Sequence, residues 1–343
     1  MLRTFASDNA APAHPAVLEA IARANSGQAV SYGEDSHTRD ATRRFREIFG
    51  SQTEVLFTFN GTGANVTAIA SLLSPFEAVI CPASAHLNTD ECGALERFAG
   101  IKILAVPTPN GKLTPELIGP FAQAPREEHH VQPRLISLSQ TTEFGGVYST
   151  AELAAICNFA RAHDLLVHMD GARLSNAAAA LDLSLHDATT GIDVLSFGGT
   201  KNGLIFGEAV VFLEGSLQRG GAKFVRKQAM QLASKMRFIS AQFEALLTND
   251  LWLLNARHAN AMASRLEMLV RDIRGIKISR PVEANAVFAV LPREIIAPLQ
   301  REFFFYLFDE ARCEARWMTS FDTTPDDVDA FAILLRRLLT APA

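Results

Sequence analysis

Cysteines are few in this sequence and lie far apart. Cys81, Cys92, Cys157 and Cys313 form no Cys-x-x-Cys pair and no cysteine–histidine spacing that suits a zinc ion. We therefore expect no metal site, and we interpret the cysteines as free core thiols in a reducing cytoplasm.

Long apolar runs are also missing. No stretch approaches the roughly 20 apolar residues that span a bilayer, and the chain reaches Ser7 and Asp8 too early for a signal peptide. The sequence predicts a soluble, intracellular protein without a membrane partner.

Charged residues are scarce, at 20% of the 343 residues, and their net charge is only −5. That balance argues against a nucleic-acid partner held by bulk electrostatics, because such proteins concentrate positive charge. Average globular proteins contain about 25% charged residues. The low fraction indicates either surface covered by another subunit or simply an alanine-rich composition.

Short apolar strands alternate with helices through the first two thirds of the chain. Strands are predicted at 78–81, 101–106, 135–139, 165–169, 194–197 and 209–213. Ser149 and Glu152 form a capping box that predicts the start of one intervening helix. Strands separated by helices predict a mostly parallel α/β sheet, whose ligands bind at the carboxyl ends of the strands.

The pattern changes near Phe224. Two long helical stretches are predicted, one to Leu247 and the next to Arg274, and a short α+β region follows. We predict a large domain over residues 1–250, including the N-terminal segment, and a small C-terminal α+β domain over residues 251–343.

Two strand ends carry the most informative residues. Asp170 directly follows strand 165–169, and Lys201 lies in a glycine-rich turn after strand 194–197. Singly, a helix-capping aspartate and a surface-turn lysine are the ordinary interpretations. Together they suit pyridoxal phosphate, whose aldehyde needs an amine and whose pyridine nitrogen needs a carboxylate to stay protonated.

A glycine-rich turn precedes another predicted helix at Asn60-Gly61-Thr62-Gly63-Ala64-Asn65. Small residues at a helix N-terminus let backbone amides approach a phosphate. Such turns are common, so this one alone is weak evidence.

The motifs resemble those of a known family. Five segments resemble motifs of the threonine aldolases: Ser7-Asp8-Asn9, Tyr32-Gly33-Glu34-Asp35, Gly61-Thr62-Gly63-Ala64-Asn65, Asp170-Gly171-Ala172-Arg173 and Gly198-Gly199-Thr200-Lys201. The resemblance is to the low-specificity L-threonine aldolases and runs from about Phe5 to Phe331. It implies a fold-type-I, transferase-like α/β fold, pyridoxal 5'-phosphate as cofactor, and a dimer or tetramer with shared active sites.

The resemblance also implies which residues hold the cofactor. Lys201 matches the Schiff-base lysine, Asp170 the partner of the pyridine nitrogen, and Arg173 the arginine beside the ring hydroxyl. His86 matches a histidine stacked on the ring. The remaining implied cofactor contacts are Gly61, Thr62, Asn65 and Thr200. Many family members have serine at the position of Thr200.

Substrate contacts are implied in the same way. Ser7 and Arg316 match the groups that hold the substrate carboxylate, for which the arginine fork is well suited. Tyr32 matches a tyrosine that reaches a neighbouring subunit's active site. Lys227, Lys235 and Arg237 lie on an apparently basic helix. In the family, residues of this helix contact the cofactor phosphate across a subunit interface. For at least one of the three, a solvent-exposed surface position is the simpler interpretation.

The implied reaction is retro-aldol cleavage of L-threonine, L-allo-threonine or a phenylserine-like amino acid to glycine and an aldehyde. The candidate bases for the β-hydroxyl proton are His86, His129, His130 and a water held by His86 and Asp90. A β-eliminating lyase or an aminotransferase on the same scaffold is the alternative, and a cofactor-binding homologue without turnover is a third. The sequence leaves the base and the substrate stereochemistry open.

Overall fold

The computed structural model describes residues 3–123, 125–213 and 221–340, which form two main sheets with helices packed around them. The strands are β1 (Arg3–Thr4), β2 (Glu54–Thr58), β3 (Glu77–Pro82), β4 (Lys102–Val106), β5 (Gln132–Ser139), β6 (Leu166–Gly171), β7 (Val194–Gly198), β8 (Glu208–Phe212), β9 (Lys277–Ile278), β10 (Ala286–Val290), β11 (Phe303–Phe304), β12 (Tyr306–Asp309) and β13 (Glu314–Met318). The helices are α1 (Pro15–Ala24), α2 (Ser36–Phe49), α3 (Gly61–Ala70), α4 (His86–Thr89), α5 (Ala94–Ala99), α6 (Pro115–Ala122), α7 (Thr150–Ala162), α8 (Leu174–Leu181), α9 (Ala222–Gln228), α10 (Arg237–Leu246), α11 (Leu251–Val270), α12 (Arg293–Glu302) and α13 (Pro325–Thr340).

The larger sheet has seven strands in the order β2-β8-β7-β6-β5-β3-β4. Strand β8 runs against its two neighbours, and the other pairings are parallel. The predicted mostly parallel α/β sheet is therefore confirmed. Its strands β3, β7 and β8 are buried along their whole length, as expected for a sheet covered on both faces.

Local signals explain where several helices begin. The predicted capping box opens α7, with the Ser149 hydroxyl and the Glu152 carboxylate each accepting a hydrogen bond from the other residue's backbone amide. Asn60 caps α3 by accepting a hydrogen bond from the amide of Gly63 at 2.8 Å. This cap fixes the glycine-rich turn at the end of β2.

The long helix predicted from Phe224 to Leu247 is wrong, because α9 and α10 are separate. Between them Met230 adopts a positive φ of 62°, which ends the helical path. The side chain of Gln231 then accepts a hydrogen bond from the amide of Phe59 at 3.0 Å. The break brings this segment against the start of α3, a long-range contact that helical periodicity does not reveal.

The smaller sheet is antiparallel, in the order β12-β13-β10-β9. Its core contains Trp317 and Phe331 and also Phe5, which follows the pairing of β1 with β11. Helix α11 contributes Trp252 to the core of the large sheet and Leu266 to that of the small sheet. The N-terminal strand therefore packs with the C-terminal part of the chain, while the division near residue 250 stays a prediction.

Within the ranges that the structure describes, no helix is both long and apolar enough to cross a bilayer.

A cluster of phenylalanines anchors the core of the large sheet. The ring of Phe45, on α2, contacts those of Phe49, Phe57, Phe197 and Phe243 and is fully buried. Edge-to-face ring pairs of this kind add to the burial energy. Helix α2 is thereby fixed against the sheet.

We predict that Phe45→Ala lowers the free energy of unfolding by about 3–5 kcal/mol, because it leaves a cavity among four rings. Phe76→Ala, at a side chain that is 64% exposed, is the matched control and should change it little. Urea unfolding followed by circular dichroism compares the two. Equal losses of stability would show that the cluster is not the anchor.

Candidate active site

A cleft of about 570 Å³ lies at the carboxyl ends of the parallel strands, between the two sheets. It brings together residues that stand far apart in the sequence and that the resemblance implied: Ser7, Gly61, Asn65, His86, Asp90, Asp170, Arg173, Lys201 and Arg316. The large sheet supplies Asp170 from the end of β6, and the small sheet supplies Arg316 from β13.

Asp170 is a half-buried carboxylate held by two donors. The side-chain amide of Asn65 donates to Oδ2 at 3.0 Å, and the amide of Ala172 donates to Oδ1 at 3.0 Å. Burial acts to raise the pKa of Asp170, but these hydrogen bonds, with the charge of Lys201, outweigh it and hold the pKa below its usual value. The group therefore stays ionised inside the protein.

Behind Asp170 lies a buried polar group on the same strand. His168 contacts the hydroxyl of Ser137 through Nδ1 at 2.9 Å and that of Ser196 through Nε2 at 3.0 Å. Burial lowers the pKa of His168 to about 4, so this ring is neutral. The network links β5, β6 and β7 directly behind the cleft.

Lys201 lies in the 3-10 turn Thr200–Asn202 that follows β7. The positive charge of Arg173, and then burial, lower the pKa of its ammonium group. No hydrogen bond or ion pair holds this amine among the residues described. A lowered pKa makes the amine easier to deprotonate than that of a free lysine, which favours its attack on an aldehyde.

Glu208 stabilises this turn, and the sequence analysis did not identify this residue. Its Oε2 accepts a hydrogen bond from the amide of Gly199 at 2.9 Å. Burial raises the pKa of Glu208 to about 7. The hydroxyl of Thr200 accepts a hydrogen bond from the amide of Gly207 at 3.2 Å, so within this chain it ties the turn together.

Arg173 is paired with Asp8, another residue that the sequence did not single out by itself. Nε and Nη2 donate to the two carboxylate oxygens at 2.7 and 2.8 Å, and Asn285 adds a third hydrogen bond at 3.1 Å. Burial acts to raise the pKa of Asp8, but Arg173 outweighs it and the pKa is lowered. The pair joins the N-terminal segment to both sheets.

His86 lines the cleft at the start of α4. Its Nδ1 lies 2.9 Å from Oε1 of Glu91, and its backbone amide donates to Oε1 of Glu143 at 3.0 Å. The hydrogen bond with Glu91 raises the pKa of His86 more than burial lowers it. Burial raises the pKa of Glu143. Glu143 gave no recognisable sequence signal, whereas Glu91 belongs to the acidic segment that follows His86.

Arg316 lines the cleft from the small-sheet side. Its Nε is buried and has no hydrogen-bond partner in the described part of the chain. Asp90 lies in the same cleft, where its charge acts on Arg316. Tyr306, opposite Arg316 in the strand register, and Phe308 form the rim of the cleft on the small-sheet side.

The placement of His129 and His130 corrects one expectation. Both are exposed and directly precede β5, at the amino end of a strand whose carboxyl end forms the cleft. His130 lines a different cavity, of about 730 Å³, and contacts Glu127 at 3.0 Å. An eight-residue strand is about 25 Å long, so neither histidine acts in the cleft of its own chain.

The groups expected to serve a neighbouring subunit also lie outside the cleft of their own chain. Tyr32 is 52% exposed, and the ammonium of Lys227 lies 5.5 Å from the centre of its ring. Lys235 is exposed in the turn before α10. Arg237 donates a hydrogen bond to the carbonyl of Gly27 at 3.1 Å. They therefore form a separate, partly exposed basic surface.

The residues present fit the implied cofactor. The backbone amides of Gly61 and Thr62, at the N-terminus of α3, have no partner among the residues described, and a phosphate suits such a position. A methyl group added at Gly61 would meet no protein atom within 4 Å. The ionised Asp170 suits a protonated ring nitrogen, and Lys201 supplies the amine.

We predict that Gly61→Ala weakens the affinity for pyridoxal phosphate by about tenfold or more, because the added methyl group enters the open space that a phosphate would occupy and keeps it away from the backbone amides. Loss of one charge-assisted hydrogen bond costs about 1.5–3 kcal/mol. Thermal stability should not fall, because the added methyl group has space. Gly119→Ala, in α6 and equally unobstructed, is the control. Titration of the cofactor-free protein measures both, and unchanged affinity in Gly61→Ala would contradict the assigned cradle.

Comparison with known proteins agrees with this geometry. Residues 4–293 match the family described as Beta-eliminating lyase. The chain is 43% identical to the low specificity L-threonine aldolase of Pseudomonas aeruginosa and 42% identical to that of Pseudomonas sp. strain NCIMB 10558, over 98% of each chain.

The structural comparison covers the same extent. A threonine aldolase of Leishmania major matches with a TM-score of 0.93 and 34% identity, over 98% of this chain and 100% of that one. The chain belongs to the family of the low specificity L-threonine aldolases.

Proposed function

We propose that the protein cleaves L-threonine and L-allo-threonine to glycine and acetaldehyde, with pyridoxal 5'-phosphate as cofactor, and that it accepts phenylserine-like substrates. The observation that carries the proposal is the meeting of Lys201, Asp170 and Arg316 in one cleft. The identity of 43% with an L-threonine aldolase over nearly the whole chain supports the same reaction.

The chain's own residues perform the binding steps. Arg316 and Ser7, which both line the cleft, hold the substrate carboxylate. Lys201 supplies the amine for the cofactor aldehyde, and ionised Asp170 keeps a proton on the ring nitrogen. When bound, the cofactor supplies the electron sink for the pair of electrons left on Cα.

Bond cleavage requires removal of the proton from the β-hydroxyl group. Of the three histidines considered, His86 alone lines the cleft among the residues described. We assign the base role to His86, acting directly or through a water that Asp90 helps to hold. Loss of the hydroxyl proton breaks the Cα–Cβ bond, releases the aldehyde and leaves Cα to be reprotonated as glycine.

The proposal includes an oligomer, a dimer or tetramer, in which subunits share active sites. Support comes from large apolar side chains that are exposed beside Tyr32 and Lys227: Val30 at 67%, Phe224 at 73% and Met230 at 67%. Subunit contact would cover them. A cytoplasmic location is proposed on the four free thiols, three of which are buried.

We predict that L-threonine and L-allo-threonine each yield glycine and acetaldehyde in equal amounts. Lys201→Ala should reduce the rate by on the order of 10³-fold or more. Lys277→Ala, at an exposed lysine of β9, should leave it unchanged. Product analysis with and without added cofactor is the measurement. A 2-oxo acid and ammonia without glycine would instead identify an eliminating lyase, and transfer of the amino group an aminotransferase.

A further inference from the structure

A continuous hydrogen-bonded chain connects the two functional ends of the cleft. Nδ1 of His86 lies 2.9 Å from Oε1 of Glu91. The side-chain amide of Asn65 donates to the same oxygen at 2.8 Å and to Oδ2 of Asp170 at 3.0 Å. Glu91 and Asn65 therefore stand between the proposed base and the carboxylate that serves the cofactor.

The middle of this chain is shielded from water. Glu91 is 4% exposed and Asn65 is 2% exposed, whereas the His86 side chain is 42% exposed and faces the cleft. A carboxylate buried to this degree is stable only when donors surround it. Two donors, His86 and Asn65, share Oε1 of Glu91, whereas Oε2 is buried without a hydrogen-bond partner in the described part of the chain. The position of this carboxylate therefore depends on those two contacts.

The arrangement determines where His86 carries its proton. The amide nitrogen of Asn65 is a donor only, and its two hydrogens are directed at Glu91 and Asp170. An ionised Glu91 can only accept, so Nδ1 of His86 must donate. In the neutral ring the lone pair is then on Nε2, at the opposite edge of the imidazole.

We propose that Glu91 is a positioning residue for the cleavage reaction: it holds His86 with the proton on Nδ1, so that Nε2 accepts the β-hydroxyl proton. The side-chain amide of Asn65 links the same carboxylate to Asp170 by donating a hydrogen bond to each. The inference rests on the proposed function, since it assigns how the base of that reaction is oriented.

Several other charges face His86 and act on its titration. Asp170 favours the protonated ring, Lys201 opposes it, and Asp90 and Arg316 line the same cleft. The hydrogen bond with Glu91 is the largest of the influences that raise the pKa of His86. Removing the charge of Glu91 should therefore lower that pKa.

The first experiment measures His86 without relying on turnover. Diethyl pyrocarbonate acylates neutral imidazole, so its rate at His86, followed by peptide mass spectrometry across a pH series, reports the titration in the full-length protein before and after cofactor loading. In Glu91→Gln, which keeps the shape and loses the charge, the midpoint should move to lower pH. Glu127→Gln removes a comparable contact, with His130 at 3.0 Å, and should leave His86 unchanged.

The second experiment measures catalysis. In Glu91→Gln the acid limb of the kcat profile should move to lower pH together with the acylation midpoint. In Glu91→Ala, kcat should fall on the order of 10- to 100-fold while KM changes little, because orientation of the base is lost and substrate binding is retained. Thermal denaturation checks that each variant is folded.

The outcomes separate this inference from the proposed function. An unchanged acylation midpoint and an unchanged acid limb in folded Glu91→Gln would overturn the positioning role. If the midpoint shifts in Glu91→Gln but the wild-type protein releases no glycine, the cleavage reaction is rejected, and the catalytic role of Glu91 with it, while the contact with His86 stands. If Glu91→Ala is unfolded, Glu91→Gln alone decides.

Discussion

Keeping a full negative charge on Asp170 inside the protein is the constraint on which the site depends. Burial destabilises that charge. Three groups from separate parts of the chain stabilise it: Asn65 on α3, the amide of Ala172 after β6, and Lys201 after β7. Each of them is in place because parallel strands end at one edge of the sheet. The topology of the large sheet therefore places the groups that stabilise the charge of Asp170.

The remaining charges of the cleft are arranged in pairs around this group. Arg173, beside it, is neutralised by Asp8, and this pairing limits the repulsion that Arg173 exerts on Lys201. The lysine is left with a lowered pKa and no fixed partner among the residues described. Nε of Arg316 has no hydrogen-bond partner among the described residues, so a second incompletely paired cation lies on the small-sheet side of the cleft. Arg173 and Asp8 thus form a paired, structural set of charges, whereas Lys201 and Arg316 are the candidates for binding ligands.

Sequence patterns predicted the elements that depend on local chemistry. The alternation of apolar strands and helices predicted the parallel sheet, and the end positions of Asp170 and Lys201 predicted that they meet. Contacts between distant segments were not predictable in this way. Asp8 bonds to a residue 165 positions away, and Gln231 to one 172 positions away. Periodicity carries no information about such pairs, so Asp8, Glu143 and Glu208 had no assigned contact and α9 and α10 were predicted as one helix.

Contacts join the two sheets at several places within the described residues. Residues near Asp8 lead from β1, which pairs with β11, to Arg173 beside the large sheet, and α11 connects the two cores along its length. A third contact lies between β5 and α7, where the amide of Val147 donates to Glu283 at 2.6 Å and the ring of Phe144 lies 5.5 Å from that of Phe308. Because these contacts come from three separate parts of the chain, any widening of the cleft that carries Arg316 and Tyr306 away from Asp170 must break at least one of them.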